Sequence, residues 1–197
     1  EYLLFLNNDV EIITENWLEE MLQLCQQKDV GMAGAKLYYP DDTIQHAGVV
    51  VGLGGVAAHV LCKLPRDAEG YMGRLRCVQE ISAVTAACMM VKTSVFKAVG
   101  GFDEELKVAF NDIDLCMKVR KYGVKIVFTP YAELYHYESK SRGMEDTPEK
   151  QLRFSREVNC FRRKWERELL KGDPYYNPNL TLNNTDCSLR KQEKNGD

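Results

Sequence analysis

Ten residues near the start, LLFLNNDVEI (3–12), leave few architectures open. An apolar run of strand length stops abruptly at Asn7, Asn8 and Asp9, so a strand delivers three oxygen-bearing side chains to the edge of a sheet. Open α/β folds place their ligands at such C-terminal strand ends. The same residue types also favour plain turns, and the run alone does not separate the two readings.

Strand-length and helix-period segments alternate behind it. Thr14 or Asn16 is placed to cap a helix carrying Trp17, Leu18, Met21, Leu22 and Cys25 on one face and running to about Lys28. Residues 30–38 read as a strand, and 46–51 as another after the turn at Pro40-Asp41-Asp42. Residues 57–74 read as a long loop, 78–92 as two strand segments bent near Thr85, and Thr93 opens a short helix stopped by Gly100-Gly101. Ile113, Cys116, Val119 and Tyr122 recur at helical spacing, with Asp112 and Asp114 in the first turn and Gly123 just past the end. Strands at 124–128 and 132–137 then flank Pro130. Thr147-Pro148-Glu149 supplies a cap, a first-turn proline and an acid for one long basic helix reaching about Lys171, with Phe154, Val158, Phe161 and Trp165 as its apolar stripe. The pattern predicts one α/β domain over 1–182 and a polar, disordered tail over 183–197.

At 197 residues and 45% hydrophobic, the chain is long enough for one well-buried core. A net charge of −3 gives no electrostatic case for nucleic acid as the main partner. No apolar run approaches the roughly 18 residues a transmembrane segment needs, which predicts a cytoplasmic module or one peripheral at the inner face of the membrane. The seven cysteines are odd in number and never in a C-x-x-C spacing, so reduced thiols are expected. Residues 51–57 match G-x-G-x-x-A, but Pro65 forbids a long following helix, and the glycines read as a loop. The chain starts at Glu1 rather than Met and enters directly into what reads as a central strand, so a preceding half is expected ahead of it.

Two constellations carry chemistry. Asn111, Asp112 and Asp114 sit at a helix start. Capping and the helix dipole account for one carboxylate there, whereas a carboxylate on a helix edge is also how a general base is mounted. His136 ends a strand and is followed by Arg142, which suits a phosphate. With Asp9 it forms an oxygen and nitrogen pair suited to Mn²⁺ or Mg²⁺, water and phosphate oxygens completing the shell. His46 and His59 have weaker surroundings and are candidate pocket residues.

The segments FLNNDVEI (5–12), AVTAACMMVKTSVFKAVGGFDEEL (83–106), FNDIDLCMKVRKYGVKIVFTPYAELYHYESKSRG (110–143) and DPYYNPNL (173–180) together resemble the family 2 glycosyltransferases of bacterial cell-surface polysaccharide synthesis, including O-antigen and rhamnan enzymes. The resemblance runs from about Leu3 to Leu182. It implies the GT-A fold, an α/β sandwich on a mainly parallel sheet flanked by helices, here without its N-terminal nucleotide-binding half. It also implies a nucleotide-diphosphate sugar donor and an oligosaccharide or lipid-linked glycan acceptor.

By the resemblance, Asn7-Asn8-Asp9 occupies the D-x-D position, with Asp9 and His136 as metal ligands. Asn7 replaces the first acid and removes a negative charge. Asn111-Asp112 occupies the E-D position, which makes Asp112 the catalytic base of an inverting transfer. Asn7, Asn8, Asn111, Asp114, Arg142, Ala87 and His46 fall to donor and acceptor binding, the segment 83–88 with Phe110 lining the acceptor side. Ser141-Arg142-Gly143 resembles the loop that folds over the donor. Little or no transfer is expected of these residues alone. The rival expectations are a non-catalytic carbohydrate-binding or scaffolding module, with Asn7 and Asn111 as signs of decay, and a metal-dependent hydrolase pairing Asp9 with Glu11.

Overall fold

A computed structural model describes residues 1–137 and 147–191. Five strands form the path of a mixed sheet in the order β1 (Tyr2–Leu6), β8 (Cys88–Lys92), β3 (Val30–Tyr38), β9 (Lys125–His136) and β2 (Val10–Ile12), with β4 (Ile44–His46) added on β3 and β7 (Gln79–Glu80) on β9. A separate hairpin joins β5 (Val49–Val51) to β6 (Ala57–His59). Every residue of β3 is buried, as befits a central strand covered on both faces.

Helix α1 (Trp17–Cys25) covers one face. Its Trp17, Met21, Leu24 and Cys25 fall on one side at helical spacing and pack with Ala33, Ala35, Leu37 and Leu134. The larger core lies on the other face, under α2 (Thr93–Ala98), α3 (Asn111–Tyr122) and the stripe Val158, Phe161 and Trp165 that α4 (Pro148–Lys164) carries to its end. Thr147 caps α4 by accepting the Lys150 N–H, and Gly123, at φ 98°, closes α3.

Several expectations change. The fold is α/β, but only the β3–β9 pairing is parallel. β8 runs against both β1 and β3, and β2, β4 and β7 are antiparallel to their partners. Within the described sheet β1 pairs on one side, with β8, and Leu4 and Leu6 are 37% and 41% exposed. The two strands expected around Pro130 are one, because the proline sits where the β3–β9 register shifts and no ladder hydrogen bond is required of it. The basic helix breaks at Trp165 and resumes as α5 (Glu166–Lys171), since the buried indole is held by Asp114.

The tail is placed as far as Lys191. Leu180 bridges Leu189, the Leu61 N–H donates to the Thr185 carbonyl, and Cys187 is buried. The glycine loop does not open a helix and serves as its dock. Gly54 N–H donates to Leu182, and Val51 N–H to the Asp173 carboxylate at 2.8 Å. None of the seven cysteines, all among the described residues, forms a disulfide.

Close packing fixes the segment 83–87 against the sheet. A Cβ on Gly34 would lie 2.3 Å from Val84 Cγ1, so the glycine lets the residues before Thr85 press directly on β3. From the other side, Cys116 of α3 makes contacts of 3.4 and 3.5 Å with the Val84 N–H and carbonyl. Val84 is therefore wedged between sheet and helix.

Candidate functional site

Thr85–Ala87, which leaves this wedge, is where the sequence candidates meet. The Thr85 N–H points to His46 Nε2 at 3.5 Å, the Ala86 N–H donates to Asp112 Oδ2 at 3.1 Å, and the Ala87 carbonyl accepts from the Asn7 N–H at 3.0 Å. The last contact continues the β1–β8 ladder, in which Leu6 pairs with Cys88. Ala87 thus contributes backbone; its own side chain is buried.

Beyond the Asn7–Asp9 turn, β2 pairs Val10 with His136, and the Tyr137 N–H donates to the Asp9 carbonyl at 2.8 Å. This register brings Asp9 Oδ1 to 3.3 Å from His136 Nε2, an ion pair only when the imidazole is protonated. Asp9 Oδ1 is buried and accepts no hydrogen bond. Asn7 Nδ2 lies 3.1 Å from the same imidazole nitrogen. Asn8 is exposed.

Asp112 is half-buried in the first turn of α3, and its Oδ1 accepts the Ile113 N–H at 2.8 Å. Asn111 Oδ1 accepts the Asp112 N–H at 2.7 Å. The residue before them, Phe110, is held at φ 63°, a conformation that side chains other than glycine adopt rarely and that recurs at functional sites. It is held by ring contacts to Phe154 and Phe161 of α4 and by the loop before it. In that loop the Lys107, Val108 and Ala109 N–H groups all donate to the buried Glu157 carboxylate, each at 3.0 Å.

Asp114 does not belong to the site. Its carboxylate is fully buried, receives Lys164 Nζ at 2.7 Å and Lys118 Nζ at 3.0 Å, and accepts the Trp165 indole N–H at 2.8 Å. It joins α3 to the α4–α5 junction and has no face left for a sugar. His46 is fully buried as well and acts inside the scaffold. Burial first, then the His59 and His136 imidazoles, hold it well below the ordinary imidazole range. The unfolded chain takes up a proton there that the folded chain refuses. Stability is therefore expected to fall by up to ~1.4 kcal/mol per pH unit below about pH 6.5, and urea midpoints of wild type against His46→Phe check it by the flattened slope. Arg142 lies outside the described residues.

Two contributors carry no local sequence signal, Glu157 and Gln45. The Gln45 side chain, 4% exposed, reaches His136 through Oε1 to Nδ1 at 2.6 Å. Among the described residues no three His, Cys, Asp or Glu side chains converge, and Asp9 and His136 stand as a pair. A separate cleft of about 550 Å³, lined by Lys36, Arg66, Arg76 and Glu133, includes none of these residues.

A glycosyltransferase-like family model matches residues 1–157. The chain is 56% identical over 190 residues to the uncharacterized protein y4gI of Sinorhizobium fredii, covering 96% of this chain and 21% of that protein. It is 40% identical over 198 residues to the O-antigen biosynthesis protein RfbC of Myxococcus xanthus, covering 100% of this chain and 15% of that protein. The chain thus spans about a fifth or less of these relatives. A stretch of 62 residues, 32% of this chain, is 36% identical to an N-acetylglucosaminyl-diphospho-decaprenol L-rhamnosyltransferase of Mycobacterium tuberculosis, covering 20% of that enzyme. Among solved structures, GalNAc-T7 with UDP, GalNAc and Mn²⁺ superposes with a TM-score of 0.59 at 14% identity, over 86% of this chain and 32% of that one, a likeness of GT-A fold.

Proposed function

The chain belongs to the glycosyltransferase-like family, as a family 2 domain, and from that membership we propose that it carries the transfer centre of an inverting enzyme of surface-polysaccharide synthesis. The donor is a nucleotide-diphosphate sugar. The acceptor is a hydroxyl of a growing or lipid-linked glycan, met in the cytoplasm or at the inner face of the membrane. The observation that carries this reading is the meeting of Asp112 and the Asn7–Asp9–His136 group on the single segment Thr85–Ala87.

Asp112 takes the proton of the acceptor hydroxyl as that oxygen attacks the anomeric carbon, and the bond from that carbon to the diphosphate oxygen breaks with inversion. The Ala86 and Ile113 N–H groups aim the carboxylate, and each oxygen keeps a lone pair for the incoming proton. The buried, unbonded Asp9 Oδ1 beside a ring nitrogen suits a hard divalent cation that keeps most of its shell for phosphate oxygens. When bound, Mn²⁺ or Mg²⁺ offsets the charge on the departing diphosphate. The O-antigen relative and the fold neighbour crystallised with UDP and Mn²⁺ support the acceptor and donor classes.

Release of nucleoside diphosphate from a panel of nucleotide-sugars by the full-length gene product, with Mn²⁺ and with EDTA, tests the reading. Turnover that EDTA leaves untouched removes the cation from it, and no turnover with any donor and glycan acceptor removes the enzyme. Asn7→Asp adds a second carboxylate beside His136 and should tighten Mn²⁺ by about tenfold, ~1.4 kcal/mol. Titration of the chain followed by electron paramagnetic resonance reads it.

A further inference from the structure

We infer that Gln45 sets which ring nitrogen of His136 carries the proton and so keeps Nε2 open as a ligand; the consequence for a cation rests on the Asp9–His136 reading above. Gln45 grips His136 twice. Its Nε2 donates to the His136 carbonyl at 3.2 Å, and its Oε1 lies 2.6 Å from Nδ1. A backbone carbonyl only accepts, so the amide must turn its NH₂ towards it and its oxygen towards the ring. That oxygen also only accepts. Nδ1 must therefore carry the hydrogen, and the neutral ring presents its lone pair at Nε2.

The other side of the ring agrees. Asn7 Nδ2, a donor, faces Nε2 at 3.1 Å, and Asp9 Oδ1, an atom with lone pairs and no hydrogen bond, lies 3.3 Å from it. A proton on Nε2 would point at Asp9 and occupy the place a cation needs. With the proton on Nδ1, the Nε2 lone pair meets the Asn7 amide N–H and passes to a cation when that amide turns aside, Asp9 Oδ1 standing next to it.

Gln45 is itself fixed. Its neighbours Ile44 and His46 pair with Tyr38 and Leu37 of β3, and its carbonyl accepts from Cys62 Sγ at 3.1 Å and lies 3.2 Å from His59 Nδ1. The residue is 4% exposed, and its side chain cannot swing into water without giving up both of its bonds to His136. Hydrogen bonds of this kind, made to the far nitrogen of a ligating imidazole, fix its tautomer, and their loss typically costs 10–100-fold in metal affinity.

The test uses the chain as it stands. In ¹⁵N-labelled wild type at alkaline pH, two-bond nitrogen–proton correlations should show a protonated Nδ1 and an unprotonated Nε2 for His136. A protonated Nε2 overturns the inference, and this measurement needs no variant to fold. Gln45→Leu should move the proton to Nε2 and weaken Mn²⁺ binding about 10–100-fold, whereas Gln45→Glu, still an acceptor for Nδ1–H though no longer a donor to the His136 carbonyl, should keep the proton on Nδ1. A Gln45→Leu protein that folds and retains the wild-type tautomer overturns the inference. If the tautomer switches and Mn²⁺ affinity does not change, Gln45 does set the tautomer and His136 is no cation ligand, which sinks the cation reading instead.

Discussion

Asp112→Asn is expected to lower transfer by the full-length protein about 10²–10⁴-fold, the usual contribution of a general base, while donor binding is kept. The substitution preserves shape. The amide oxygen can still accept one of the N–H bonds from Ala86 and Ile113, so folding stability should move by no more than ~1 kcal/mol. What disappears is the lone-pair anion that can accept the acceptor's proton. The check is a paired measurement of turnover and of donor affinity by calorimetry. Loss of both together would make Asp112 a binding residue, and unchanged turnover would remove it as the base.

Two residues along the same helix, the expected effect reverses. Asp114→Ala should cost about 3 kcal/mol of stability, because it removes a fully buried carboxylate from two ammonium groups and an indole N–H. Breaking a buried pair typically costs about 3–5 kcal/mol, and the lower end applies because Lys118 and Lys164 are 19% and 31% exposed and can turn partly to water. For a chain of this size that is a fall of roughly 6–12 °C in Tm. Denaturant midpoints of the two variants side by side separate the base from the brace: Asp112→Asn near wild type and inactive, Asp114→Ala unstable.

The contrast shows what a single sequence makes legible. The apolar run ending at Asn7, Asn8 and Asp9, the acid pair opening α3 and the histidine closing β9 are local patterns; Asn7 and Asp112 reach one segment, Thr85–Ala87, and His136 lies beside Asn7 and Asp9. The fate of Asp114 is not local. Its i+4 partner Lys118 is visible in the helical spacing, but Lys164 and Trp165 arrive from a helix some fifty positions away, and they turn a candidate binding group into a brace. Gln45 stands next to His46 in the same strand, and alternation sends it to His136 while His46 turns into the core. Nor does apolar periodicity report strand order. Leu3–Leu6 pairs with a strand more than eighty residues on, Cys88–Lys92, because order is fixed by pairing partners far apart in the chain. The tail misleads for the opposite reason. Its polar composition hides one buried side chain, Cys187, and the backbone bonds by which the Thr185 and Ser188 carbonyls accept the Leu61 and Thr181 N–H groups, which together place it as far as Lys191.

Glu157 ties the loop that mounts Asp112 to a helix about fifty residues downstream. That places the proposed base among the last parts of the molecule expected to mature: the strands can pair, yet residues 107–110 acquire the Glu157 bonds only after α4 has been synthesised and has closed over them. A chain halted anywhere before α4 would hold Asp112 and the Ala86 and Ile113 N–H groups that meet its carboxylate, and would still lack the Glu157 carboxylate that shapes the loop leading into them.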